Sequence, residues 1–167
     1  MESAWLQTLW VDGIIVLDTE GKMECEYSTD ESEKSIKGLH ILLAEDNELN
    51  MEITEFVLQN EGADVTKAWD GQEAVELFRN SEPGEFDVIL MDIMMSVMNG
   101  YEATKMIRSL DREDAKKIPI IAMTANAFTE DRIRAKEAGM DEHVAKPVDV
   151  ELLIKVIHKF VENDERS

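Results

Sequence analysis

A chain of 167 residues with 44% hydrophobic side chains is long enough for one domain with its own core plus a small appendage, and too apolar for wholesale disorder. The net charge of −20 is carried by both parts, with nine acids against three bases in residues 1–38 and 28 against 14 in residues 39–167. Nucleic-acid affinity rests on Lys and Arg neutralising phosphates, so this surface argues against nucleic-acid binding and favours protein partners or a cation held by carboxylates.

Taken in chain order, residues 1–27 read as an N-terminal helix and hairpin, either an appendage or the remnant of an upstream domain. Trp5, Leu6, Leu9 and Trp10 fall on one side of a short helix, and residues 14–17 and 23–27 flank the turn at 18–22 as two strands. Two tryptophans there need burial, against the main domain, a second copy or a partner. Residues 28–38 are polar, charged and aperiodic, which predicts a linker. No apolar run approaches the ~18 residues of a membrane span, and no secretory signal opens the sequence. With Cys25 as the only cysteine, the expectation is a cytoplasmic segment without membrane contact.

From residue 39 to residue 163, strand and helix patterns alternate five times, and residues 164–167 are left as a tail. The apolar runs at 40–44, 63–66, 86–91, 118–123 and 143–145 are short and poorly alternating, as strands buried on both faces should be. Between them Leu49, Ile53, Phe56 and Val57 share one face of a first helix, Ala74, Leu77 and Phe78 of a second, and Ala103, Ile107 and Leu110 of a third. A fourth helix at 129–138 offers one large apolar side chain and several alanines, so it is either a mobile element or a solvated one. The last helix is strongly amphipathic through Leu153, Val156, Ile157, Phe160 and Val161. Asp70 with Glu73 predicts a capping box, and Gly62 and Gly139 predict helix ends. Five βα units predict an α/β domain: one parallel sheet, right-handed crossovers and helices on both faces.

In such a sheet ligands bind at the carboxyl ends of the strands. Those ends carry Glu45 and Asp46 on the first strand, Asp92 on the third, Thr124 on the fourth and Lys146-Pro147 on the fifth. Singly, each reads as a cap or turn residue; together they form a charged constellation at one edge. Two carboxylates ~4 Å apart repel by about 4 kcal/mol at an effective dielectric near ~20, so three of them call for a cation. Mg²⁺ suits such a site, since it takes a few carboxylate oxygens and completes its shell with water and phosphate oxygens. A carboxylate beside it can act as a nucleophile on phosphorus, with Lys146 and Thr124 stabilising charge on the equatorial oxygens. A purely structural salt-bridge cluster is the alternative.

The motifs Leu43-Ala-Glu-Asp-Asn47, Leu90-Met-Asp-Ile-Met94, Met123-Thr-Ala-Asn126 and Val144-Ala-Lys-Pro147 resemble, in order, those of response-regulator receiver domains. The segments at 98–104 and 120–127 are particularly similar to receivers fused to hybrid sensor histidine kinases. The resemblance implies a flavodoxin-like, doubly wound five-stranded sheet of order 2-1-3-4-5 and a phosphorelay function. It implies Asp92 as phosphoacceptor, Glu45, Asp46, Asp92 and the Met94 carbonyl around Mg²⁺, Lys146 on the phosphoryl group, a cis bond before Pro147, and Thr124 as switch hydroxyl. Its implied partners are a histidine kinase, in the same chain or another, and a histidine phosphotransfer protein. A Mg²⁺-dependent phosphohydrolase working through an aspartyl phosphate would want an acid where Met94 stands, and an unphosphorylated pseudo-receiver would not need the intact acid trio. Two positions depart from the family pattern. Ser96 replaces the usual proline, which predicts a less rigid loop after Asp92, and His143 replaces the usual Tyr or Phe of the aromatic switch. A histidine there can still rotate as the second switch residue with Thr124, can titrate near neutral pH, or can simply pack or meet solvent.

Overall fold

The computed structural model describes residues 35–126 and 128–164, together with the short strands at 16–17 and 23–24. The chain divides into two units, Met1–Glu33 and Lys34–Ser167. In the first, Val16–Leu17 pairs antiparallel with Met23–Glu24, within the stretches expected to form a hairpin. The helix expected at 5–10, most of the linker and the last three residues lie outside the described residues.

The second unit is built on five parallel strands: β1 (His40–Ala44), β2 (Asp64–Ala68), β3 (Val88–Asp92), β4 (Ile120–Thr124) and β5 (Glu142–Ala145). Their order across the sheet is β2-β1-β3-β4-β5. The helices are α1 (Glu48–Asn60), α2 (Gly71–Asn80), α3 (Gly100–Arg108), the short α4 (Glu113–Lys117), α5 (Thr129–Ala138) and α6 (Val150–Asp164). This is the flavodoxin-like arrangement expected, and the apolar runs become strands because every residue of β3 and β4 is buried.

Alternation along the strands divides the core in two. Leu42, Ile89, Met91, Ile120 and Ala122 pack with Phe78 of α2, Ile107 of α3 and Ala135 of α5. Ile41, Leu43, Val88, Leu90, Ile121 and Met123 pack with Met51 and Leu58 of α1 and Leu153 and Ile157 of α6. The chain reverses direction across the sheet at β1, so the loops after β1 and β3 diverge and leave a crevice at their carboxyl ends.

Two helices, α1 and α3, differ from their sequence patterns, while α5 follows its own. On α1 the apolar face of Leu49, Ile53 and Phe56 looks outward, at 64, 55 and 72% exposure, while Met51, Thr54 and Leu58 are buried. A 3.6-residue period identifies a face but not its orientation, and here Met51 and Leu58 fill the space over β1 and β3. On α5 only Ala135 and Ala138 are buried and Ile133 is exposed, against fully buried Leu153 and Ile157 on α6. Since a buried Leu or Ile contributes about 1.5–3 kcal/mol, α5 is the more lightly held. The third helix stops at Arg108, leaving Leu110 in the connection, and α4 follows as an additional turn of helix.

Capping chemistry sets the helix ends. The Asp70 carboxylate accepts from the Glu73 amide at 2.9 Å, but the Glu73 side chain bonds the Trp69 amide rather than that of Asp70. The reciprocal box occurs instead at Asn99 and Glu102, which fixes the start of α3. Gly139 ends α5 with φ +101°, a conformation that disfavours a side chain.

Candidate functional site

Strand geometry delivers the acids. Ala44 of β1 pairs with Met91 of β3, so Glu45 and Asp46 leave one strand beside the point where Asp92 ends the next. One carboxylate oxygen from each of Glu45, Asp46 and Asp92 lies within 4.8 Å of the others. Glu45 and Asp92 are buried, at 1 and 4% exposure, whereas Asp46 faces solvent. Room for this packing depends on Gly100, where a Cβ would come within 2.3 Å of the Asp92 carbonyl oxygen.

Lys146 closes the site from β5. Its ammonium bonds the Glu45 carboxylate and stands 3.2 Å from Asp92. The Lys146-Pro147 peptide is cis, as the resemblance implied. One ammonium among three carboxylates leaves the cluster short of positive charge. Burial, with Glu45 alongside, raises the Asp92 carboxyl to about 6, and Lys146 opposes that rise. The donor set is all oxygen, from hard carboxylates next to open solvent, and it suits a small divalent cation rather than a thiophilic metal.

Thr124 is buried at the end of β4, with its hydroxyl donating to the Asn126 carbonyl at 2.8 Å and accepting from the Asn126 amide at 3.0 Å. It is near the acids in topology but is bonded within its own loop. His143 lies one strand over. Its Cα partner is Ala122, so the two-residue alternation puts His143 and Thr124 on the same face of the sheet, the face that α5 covers. Its Nδ1 is 3.3 Å from Glu142, and His143 is not brought to the acid cluster. The Met94 amide donates to Asp92 at 3.3 Å, while its side chain is 75% exposed.

Two backbone contacts had no signal in the sequence. The Asn47 amide donates to Glu45 at 3.1 Å while the Asn47 side chain caps α1. The Ser96 amide donates to Asp46 at 3.0 Å across a separation of 50 residues. The loop expected to be loosened by Ser96 is therefore tied to the acid cluster at that residue.

Residues 41–158 match the profile described as the response regulator receiver domain. The chain belongs to that family. Among relatives, Histidine kinase 1 of Arabidopsis thaliana is 35% identical over 158 residues, covering 75% of this chain and 13% of the relative. The receiver domain of sensor histidine kinase PA1611 from Pseudomonas aeruginosa PAO1 is 38% identical with a TM-score of 0.68, covering 75% of this chain and 98% of that one. That structure carries a magnesium ion coordinated in its active-site cleft. The receiver of Saccharomyces cerevisiae Ssk1, solved with the histidine phosphotransfer protein Ypd1, is 29% identical with a TM-score of 0.66, over 74% of this chain and 89% of the other. This receiver spans only 8 to 15% of the length of the first curated relatives it matches. It is a phosphorelay receiver homologous to the receiver regions of hybrid histidine kinases. No helix among the described residues is long and apolar enough to cross a membrane.

Proposed function

We propose that Asp92 is the phosphoacceptor and that this receiver takes its phosphoryl group from a phosphohistidine with Mg²⁺ in the acid cluster. The observation that carries the reading is the meeting of Asp92 with Glu45, Asp46 and Lys146 at one end of the sheet. An Asp92 carboxylate oxygen attacks phosphorus, the phosphorus–nitrogen bond breaks, and its electron pair stays on the imidazole of the donor. With its carboxyl raised to about 6, Asp92 remains largely ionised at neutral pH and retains its nucleophilic pair. Lys146, 3.2 Å from Asp92, would donate to an equatorial oxygen of the transferring group. Glu45, Asp46, Asp92 and the Met94 carbonyl would hold Mg²⁺, which supplies positive charge for the phosphoryl oxygens. Water then attacks the acyl phosphate, releasing phosphate and restoring the carboxylate.

The donor is a helical phosphohistidine protein, either a kinase or a phosphotransfer protein. The exposed stripe of Leu49, Ile53 and Phe56 starts three residues after Asp46 and runs up α1 from the mouth of the site. Glu48 and Glu52 flank it in solvent, so the surface suits an apolar helix bordered by basic residues. Such a donor acts in the cytoplasm, and a hybrid kinase is the parent chain that the relatives favour. Thr124 exchanges its Asn126 bonds for one to the phosphoryl group, and His143 responds on the neighbouring strand.

Intact mass after incubation with Mg²⁺ and a small phosphoryl donor tests the assignment. One added phosphoryl group is expected on the native chain and none on Asp92→Asn, whose amide is not a competent nucleophile. Equal labelling of the two would remove Asp92 from the role.

A further inference from the structure

Asp46 is the one acid of the cluster that faces solvent, and nothing in its own loop holds it. Asn47, not Asp46, caps α1, and Lys146 bonds Glu45 and Asp92. A solvated carboxylate with no partner would sample several rotamers. The hydrogen bond that the structure gives Asp46 comes from the main chain of the opposite loop, where Ser96 N donates to Oδ2 at 3.0 Å. A carboxylate offers about four lone-pair sites, so this bond orients the group and leaves Oδ1 open.

The donor is itself fixed. Ser96 O accepts from the Met98 amide at 2.7 Å, and Val97 between them has φ +65°. This is a three-residue γ-turn of the rarer hand, built on a β-branched residue that resists positive φ. Such a conformation persists only where its surroundings over-determine it. Here the Gly71 amide grips the Met98 carbonyl at 3.1 Å, and the Gly100 amide bonds the Ile93 carbonyl at 3.0 Å. The turn thus presents the Ser96 N–H to Asp46 from a clamped loop. A proline, the residue the family usually places here, has no N–H to present.

We infer that the Ser96 backbone amide is a positioning group, holding the Asp46 carboxylate ready for a divalent cation. The inference rests on the metal reading above. Partners behind metal ligands typically change affinity by about 10–100-fold, and a single bond to a solvated carboxylate belongs near the lower end.

Calorimetric titration with Mg²⁺ alone separates the possibilities. Ser96→Pro deletes the donor and is expected to weaken binding about tenfold. Ser96→Ala keeps the N–H, removes the hydroxyl, and is expected to match the native chain. Equal affinity for the native chain and Ser96→Pro, or an equal loss in Ser96→Ala, would overturn the positioning role while leaving the metal site intact. A native chain that takes up no Mg²⁺ would instead overturn the metal reading and, with it, this inference. A metal-free readout needs no proline variant. The Ser96 amide proton resonance of the native chain should move upfield in Asp46→Ala, and an unmoved resonance would show that the bond is not made and would equally overturn the role.

Discussion

The two edges of the sheet use the same side-chain chemistry to opposite ends. At the amino edge Arg112, Arg108, Asp114, Asp141 and Asp87 all have partners. Arg112 spans the connection between α3 and α4, donating to the carbonyls of Phe78 at 2.6 Å and Ser81 at 3.0 Å and to both oxygens of Asp114. Its guanidinium also lies 4.6 Å from the centre of the Phe78 ring. Arg108 joins Asp141 at 2.9 Å and the carbonyls of Ala115 and Gly139, and Asp141 accepts from the Ile120 amide. Asp87 accepts from the His40 amide at 2.7 Å. At the carboxyl edge Glu45 and Asp92 share Lys146, Asp46 accepts from a backbone amide, and a large apolar stripe opens to solvent beside them. The titration behaviour separates them as well. Hydrogen bonding to Arg112 lowers Asp114 to about 2, whereas burial raises Asp92 to about 6. One edge is satisfied and holds the fold; the other is left short of positive charge, which makes it ready for a ligand.

The satisfied edge should break hardest. Arg112→Ala removes several charge-assisted bonds and strands the carbonyls at the end of α2, so a loss of about 2–4 kcal/mol is expected in urea unfolding. A loss below about 0.5 kcal/mol would place this network among surface pairs of little consequence.

The charged edge should relax when its charge is removed. The folded-state value of Asp92 lies above its ordinary 3.8, so its contribution to stability is fully present below 3.8 and is lost as pH rises through about 6. With a chelator present, Asp92→Asn is therefore expected to be more stable than the native chain at pH ~8, by on the order of 1–3 kcal/mol. The advantage should fade as pH falls toward ~4. Asp114 behaves oppositely, since its contribution is fully present above its ordinary 3.8 and is lost as pH falls from there through about 2. A pH-independent difference between the native chain and Asp92→Asn would contradict the contrast.

Within the charged edge the two acids of the first loop should not be equivalent. Glu45 already bonds Lys146 and the Asn47 amide, while among the described residues the Asp46 carboxylate accepts only from the Ser96 amide. Asp46→Ala is expected to weaken Mg²⁺ by about tenfold or more and Glu45→Ala by less, as read by calorimetry. Equal losses would remove the distinction.

The smallest effect lies in α5, which touches both edges. Its carboxyl end is held by Gly139, by buried Met140 and by Arg108, whereas its amino end has no side-chain cap and is met by Tyr101, whose hydroxyl lies 3.5 Å from the Asp131 carbonyl. Phosphorylation should therefore alter hydrogen exchange over residues 129–132 more than over residues 135–138. Thr124→Ala should leave labelling possible and shrink that change. An undiminished response would show that the signal leaves by another route.

Strand positions, their order along the chain and the acids at their ends were legible in the sequence because buried parallel strands are continuous apolar runs and their loops have nowhere else to carry polar chemistry. The resemblance of the four motifs added the family, and the fold agrees with it. The local periodicity of α1 was equally clear, yet its outward orientation followed from Met51 and Leu58 filling the core, a competition no single helix reveals. The departure at Ser96 was visible as a residue change, but the bond its amide makes was not. What matters there is a main-chain N–H, which nearly every residue possesses, meeting a carboxylate 50 positions away. Residue identity records which side chains are available, and so the sequence by itself determined the elements, the family and the charged constellation. Backbone partners, the pairing of Arg112 and Arg108, and the unequal satisfaction of the two edges depend on which distant atoms the closed sheet brings within hydrogen-bond reach, and only the tertiary structure decided those.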